Sequence, residues 1–288
     1  MFRGLIFAVA ALALSLSEPV NAQTYPAHFV DVPEARLWVS DTGGSGEPVV
    51  LLHAHTGTSE SWVKQIPALV KAGYRVIAYD RAGSGKSVLR PGMKPLSSAE
   101  DLDALADALK LDTFDIVAVA HGGYVAADYA AWRPKRVKSL VVAASGLGIP
   151  VGPKGDAAAD ALRTRSALPG FAQWPPEVRE LSPSYRGINP DGVARWKEIE
   201  KHSMQPGAID PPPRTPNTYG KIASLTMSIL VVAGDVDLTT PSAAIRLWAK
   251  HLKAYDWALI PEAGHSVNWE QPDAFNAAVI GFLNKHRG

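Results

Sequence analysis

The sequence contains no cysteine, which excludes disulfides, thiol nucleophiles and cysteine-ligated metals throughout the chain. Net charge is low: a formal +1, with no long run of either sign. Nothing therefore points to nucleic acid or to steering of a charged partner. Long apolar stretches are also scarce. The run Leu5–Leu16 is too short to span a bilayer comfortably, and no later segment supplies a transmembrane helix. These absences leave hydroxyls, imidazoles, carboxylates and backbone amides to do chemistry, on a small and roughly neutral substrate.

What is present begins with a separate leader. Arg3 precedes the apolar run, and Val20-Asn21-Ala22 places small residues around a cleavage point. This pattern predicts a secretory signal peptide over residues 1–22, cut after Ala22, and hence a secreted or periplasmic protein with no membrane attachment once cleaved. With 288 residues, 47% of them hydrophobic, the remainder can bury one large core without covalent staples.

Strand-like apolar runs then alternate with helical patterns. Pro48–Leu52, Tyr74–Tyr79, Phe114–Val119, Val137–Ala144 and Ile229–Ala233 read as buried strands, with Trp257–Ile260 as the last. Between them, Trp62–Lys71 (despite Pro67), Ser97 with Glu100 as a capping box, and Tyr124–Ala131 read as helices. Pro241–Leu252, capped by Thr240, and Pro272–Leu283 complete the helical set. This alternation predicts a mostly parallel sheet covered on both faces. It breaks over residues 147–227, a proline-rich segment with Phe171, Trp174, Tyr185 and Trp196 that is too long for a plain loop and reads as an inserted helical lid. The expected organisation is a core of residues 23–146 and 228–288 around that insertion.

One motif is a decoy. Gly85-Lys86-Ser87 matches the end of a phosphate-binding loop, but Asp80 stands where that loop needs its first glycine, and a carboxylate there would repel phosphate.

The informative stretch is Phe114–Ala130, in which a strand meets a helix across Ala120-His121-Gly122-Gly123. A strand, a sharp small-residue turn and a helix form the elbow that carries a nucleophile in G-x-S-x-G enzymes. Here the aligned residues are Ala118, Val119, Ala120, His121 and Gly122, so the apex is alanine.

Reactive residues of such sheets gather at the carboxyl ends of the strands. Those ends carry His53 to Gly57, Asp80-Arg81, Ala120-His121, Ser145, Asp237 and His265. With LLHAHTG, AYDRAGSGKS, VAGDVDLTTP and PEAGHSVNWEQP in this order, the chain resembles the α/β-hydrolase superfamily over essentially its whole length after the leader. The resemblance implies an eight-stranded, mostly parallel sheet with helices on both faces and a lid. It implies His265 as general base and Asp237 as the acid that orients it, with nearby Asp235 serving the turn. It also implies the amides of His121 and His55 as oxyanion donors, with Ala54 the alternative to His55. Asp80 and Arg81 are expected to brace neighbouring strands. Trp174 and Trp196 are candidates for lining a substrate pocket, or for forming the lid's own core.

An alanine apex closes the acyl-enzyme route. Four readings follow. A serine has been exchanged in an otherwise ordinary hydrolase, although a sequence still carrying its leader favours alanine as its own residue. Alternatively, the His265–Asp237 dyad acts directly on substrate or water beside the oxyanion hole, as a hydrolase or as a lyase or cofactor-free enzyme. A third reading passes the nucleophile's role to Ser145 or Thr56, or to a metal held by His55, His121 and His265; no metal and no cofactor is assigned, because spacing does not show that three imidazoles converge. The fourth is a non-catalytic binder, against which the matched acid and histidine loops argue. The sequence thus points to an exported enzyme acting on a small, largely apolar ester, lactone or ketone-bearing substrate.

Overall fold

The computed structural model describes residues 25–94, 96–149 and 168–287; the expected leader and its cleavage point lie outside them. Nine strands form one sheet: β1 (Ala27–Asp31), β2 (Ala35–Asp41), β3 (Glu47–Leu52), β4 (Tyr74–Tyr79), β5 (Val88–Leu89), β6 (Phe114–Val119), β7 (Val137–Ala143), β8 (Ser228–Gly234) and β9 (Asp256–Ile260). Their order is β1-β2-β4-β3-β6-β7-β8-β9, with the two-residue β5 paired to β2. Pairing is parallel along β4-β3-β6-β7-β8-β9 and antiparallel where β2 meets β1, β4 and β5. The expected eight-stranded path is present, and β5 is an addition too short to show as an apolar run.

Continuous apolar strands arise because both faces of the sheet are covered. In β6, Ile116 and Ala118 enter one apolar cluster whereas Val117 and Val119 enter the other. Helices α2 (Ser98–Ala108), α3 (His121–Trp132) and α8 (Ser242–Ala249) face the first cluster through Leu102, Leu105, Ala126, Ile245 and Trp248. Helices α1 (Gln65–Lys71) and α10 (Pro272–Lys285) face the second through Ile66, Leu69, Phe275 and Val279. Pro67 is tolerated because it stands in the first turn of α1, where its missing N–H has no intrahelical partner to lose. Ser97 and Glu100 form the capping box of α2.

Between β7 and β8 the described chain forms α4 (Pro176–Glu180), α5 (Pro183–Ile188), α6 (Pro190–Lys201) and α7 (Tyr219–Ala223), preceded by a 3-10 turn at Phe171–Gln173. Leu181, Tyr185, Trp196 and Ile199 pack with Trp269, of the short α9 (Val267–Glu270), into a small core of their own. Among the described residues, no helix is long and apolar enough to cross a membrane.

The strand order explains where a ligand can sit. From β3 the chain goes outward to β4 on one side and returns to β6 on the other, opening a crevice beyond the carboxyl ends of β3 and β6. Register matches Leu52 with Ala118 and Val119 with Ala143, so the loops at His53, Ala120 and Ala144 leave the same edge of the sheet.

Candidate active site

Ala120 keeps the geometry of an elbow without its hydroxyl. Its φ of 50° and ψ of −115° lie in a region that costs a non-glycine residue on the order of 1–3 kcal/mol. The turn is tight because strand and helix almost touch: a Cβ on Gly122 would come within 2.2 Å of the Leu52 carbonyl oxygen, and one on Gly123 within 2.5 Å of Ser145 Oγ. Only glycine fits at either position.

His265 and Asp237 meet as the motif order predicts. The imidazole Nδ1 lies 2.9 Å from Asp237 Oδ2, with both side chains buried. The other carboxylate oxygen accepts the amides of Thr239 and Thr240, each at 2.8 Å, so the acid is held on both sides. That corrects the expected cap of α8: Thr240 is drawn to Asp237 and the N-cap is Pro241, which leaves Ser242 as the first helical residue. Asp235 is exposed in the adjoining turn. Ala120 shares an apolar cluster with Ala263 and Val267, which flank His265.

Burial on its own would lower the basicity of His265. The charge of Asp237, the hydrogen bond to it, and the carboxylates of Glu180 and Glu270 outweigh burial and hold the pKa up at about 9. The ring therefore carries its proton at neutral pH.

The two glutamates were not legible as site residues. The Glu180 carbonyl accepts the His265 amide at 2.7 Å and the Ser266 amide at 3.3 Å. Its carboxylate, raised in pKa by burial, accepts the Thr56 hydroxyl at 3.0 Å. Glu270 ties the histidine loop to the helices between β7 and β8, accepting Ser182 N at 2.6 Å and Gly264 N at 3.1 Å. Glu270 lies inside the quoted histidine-loop motif, whereas nothing in the Pro-Pro-Glu-Val-Arg-Glu run marks Glu180.

The alternative hydroxyls have structural partners. Ser145 Oγ donates to the Ala120 carbonyl at 2.6 Å and accepts Leu147 N at 3.1 Å. Thr56 is engaged by Glu180. The amides of His121 and His55 meet no acceptor among the described residues. Trp196 is buried and donates its indole N–H to Ser266 Oγ at 3.0 Å, within the core of the insertion. Trp174 is half-buried against Phe171.

Asp80 and Arg81 brace the loops as expected. Asp80 accepts Ser59 N at 2.7 Å and Lys86 N at 2.8 Å. A Cβ on Gly85 would lie 2.2 Å from the same carboxylate, so the acid fills the turn that a phosphate would need. His53, kept neutral by burial and by Arg81, donates from Nδ1 to the Ala54 carbonyl and accepts Arg81 N at Nε2.

No metal is assigned from the sequence, and the three-histidine variant weighed there does not form among the described residues. His55 and His121 do approach each other, with ring centroids 5.9 Å apart, but the third group of their cluster is Asp210, between α6 and α7, and not His265. Beside His121 a cavity of about 150 Å³ is lined by apolar Val125 and Pro211 together with Tyr124 and the polar Asp128 and Asn217.

The model of the alpha/beta hydrolase family matches residues 49–278. The chain is 26% identical over 291 residues to the 2-hydroxy-6-oxononadienedioate/2-hydroxy-6-oxononatrienedioate hydrolase 1 of Dechloromonas aromatica, covering 94% of this chain and 99% of that protein. Its fold is similar to a thermophilic esterase from Thermogutta terrifontis, with a TM-score of 0.72 at 24% identity, over 91% of this chain and 100% of that one. It is likewise similar to an enol-lactonase from Burkholderia xenovorans, with a TM-score of 0.73 at 22% identity, over 89% and 100% of the two chains. With Ala120 at the apex of its elbow, the chain is a hydrolase and belongs to the alpha/beta hydrolase family.

Proposed function

We propose that the protein hydrolyses a small, largely apolar ester, lactone or ketone-bearing substrate by direct attack of water, without a covalent intermediate. The observation that carries this reading is the buried His265–Asp237 pair beside a strained elbow that has no hydroxyl. The amides of His121 and His55, which meet no acceptor among the described residues, are assigned as donors to the oxyanion that forms when water adds to the carbonyl. Asp237 orients His265 and stabilises its charged form. Neutral His265 takes a proton from the attacking water and returns it to the leaving group, so hydrolysis consumes one water and leaves the enzyme unchanged. The relatives' names support the substrate class, since an esterase, an enol-lactonase and an oxononadienedioate hydrolase are all hydrolases of small molecules.

The cavity beside His121 is assigned to the apolar part of the substrate, and the helices between β7 and β8 to a lid over it. Trp174 and Trp196 contribute to that lid, Trp196 as its packing centre. Removal of residues 1–22 releases the enzyme to the periplasm or the medium.

A second reading, proton-transfer chemistry of lyase or cofactor-free type on the same dyad, draws on the charged state of His265, which supplies an acid in the resting enzyme. The two separate by product. Incubation with a panel of aryl esters and enol lactones in ¹⁸O-water labels the acid product if water attacks, and leaves product unlabelled if the dyad only moves protons.

A further inference from the structure

Three potential metal ligands meet on the insertion side of the crevice. His55 follows β3, His121 opens α3, and Asp210 comes from the strap leading to α7. One donor atom from each lies within 4.8 Å of the other two. Asp210 Oδ2 is 2.8 Å from His55 Nδ1 and 3.8 Å from His121 Nδ1, so both rings turn toward the same oxygen.

We infer that His55, His121 and Asp210 form a binding site for a zinc-class divalent cation that ties the inserted strap to the sheet, independently of the reaction the dyad performs. Two imidazole nitrogens and one carboxylate oxygen are the donors that zinc and neighbouring first-row ions take, and magnesium or calcium would want more oxygen. Bonds of about 2.0–2.2 Å at the tetrahedral angle set ligand atoms about 3.3–3.6 Å apart. The two Asp210 separations, 2.8 and 3.8 Å, lie on either side of that span. A gap of up to 4.8 Å between the rings closes with a relative side-chain shift of about 1.2–1.5 Å.

The surroundings hold Asp210 in place. It precedes Pro211-Pro212-Pro213, and a following proline confines a residue to extended backbone. Its second oxygen, Oδ1, faces the buried guanidinium of Arg81 with Nη1 at 3.7 Å. The cation of Arg81 thus stands behind the carboxylate, on the oxygen the histidines do not use, as outer-shell partners of ligating carboxylates do. His55 makes the 2.8 Å contact with Asp210, and His121, packed on Tyr124 with ring centroids 5.0 Å apart, brings its Nδ1 to 3.8 Å from the same oxygen. Three protein ligands leave a coordination position for water, beside the cavity that His121 and Pro211 share.

The test is a titration of untagged, chelator-stripped protein, residues 23–288, with Co²⁺ followed by visible absorption, and then Zn²⁺ by displacement. One equivalent of Co²⁺ per chain is expected, displaced by one of Zn²⁺. Asp210→Asn and His55→Ala should each weaken binding by at least about 100-fold, a loss that an outer-shell partner alone can cause, whereas His265→Ala should bind as the parent does. His55 is half exposed on its side chain, so its variant reports on the site even if Asp210→Asn, checked by circular dichroism, fails to fold. Binding well below one equivalent, binding that survives both ligand substitutions, or binding lost with His265→Ala would overturn the assignment. None of these outcomes depends on hydrolytic activity.

Discussion

His265 Nδ1 lies 2.9 Å from Asp237 Oδ2, and both side chains are buried. A buried imidazole held this way is more basic folded than unfolded, at about 9 against an unfolded value near 6.5. Protonation therefore stabilises the fold: the contribution is fully present below pH 6.5, and is lost as pH rises through about 9. Asp237→Asn should cost on the order of 2 kcal/mol at pH 6 and much less at pH 10. Urea unfolding of parent and variant at the two pH values reads the difference. The same titration governs the proposed reaction, in which neutral His265 is the base. Log kcat/KM should climb with near-unit slope from pH 7 toward about 9 and then level.

The apex residue gives the second prediction. Ala120 already adopts the backbone that an elbow nucleophile requires, so Ala120→Ser adds a hydroxyl without asking the chain to move. Hydrolysis of p-nitrophenyl acetate by Ala120→Ser should exceed that of the parent by about 100-fold or more, with an acyl-enzyme burst. No burst and no gain would mean that the hydroxyl does not reach His265.

Close packing behind the apex gives the third. A methyl on Gly122 meets the Leu52 carbonyl at 2.2 Å, and a backbone carbonyl there has little room to yield. Gly122→Ala should destabilise by about 3 kcal/mol or more, or prevent folding. Thermal melting and soluble yield measure this. Gly187→Ala, where an added Cβ meets nothing within 4 Å inside a helix, is the control and should melt at or slightly above the parent.

Asp101 gives the fourth. Burial, with Glu34 and Glu100 nearby, raises its pKa to about 7, and Arg81 offsets only part of this. The folded state prefers the protonated acid. Its contribution is thus favourable below about pH 4, and is withdrawn as pH rises through about 7. Asp101→Asn should raise stability by on the order of 1–2 kcal/mol at pH 8 and by little at pH 4.

How much of this was visible beforehand differs by kind of signal. Strands buried on both faces announce themselves as unbroken apolar runs, so β3, β4, β6, β7 and β8 were readable along with their parallel order. His265 and Asp237 were readable because each follows a strand in a loop of characteristic composition. What failed to show depends on contacts between distant parts of the chain. Thr240 has the chemistry of a helix cap, but Asp237 lies two and three residues before Thr239 and Thr240 and takes their amides first. Glu180 reaches the histidine loop from a proline-flanked turn with no periodicity. Asp210 joins His55 across 155 residues of sequence and also approaches His121, and no spacing rule reports that. Gly85-Lys86-Ser87 shows the converse: its rejection rested on Asp80, and that carboxylate fills the turn.

In the proposed reaction His265 drives hydrolysis with no acyl-enzyme. Intact-protein mass spectrometry during turnover of the best aryl ester or enol lactone, run beside the rate of His265→Ala, separates this from a covalent route. The parent should stay at its unmodified mass at every time point, while His265→Ala should lose about 100-fold or more in kcat/KM. A substrate-derived mass on the parent, or a His265→Ala rate equal to the parent's, would contradict it.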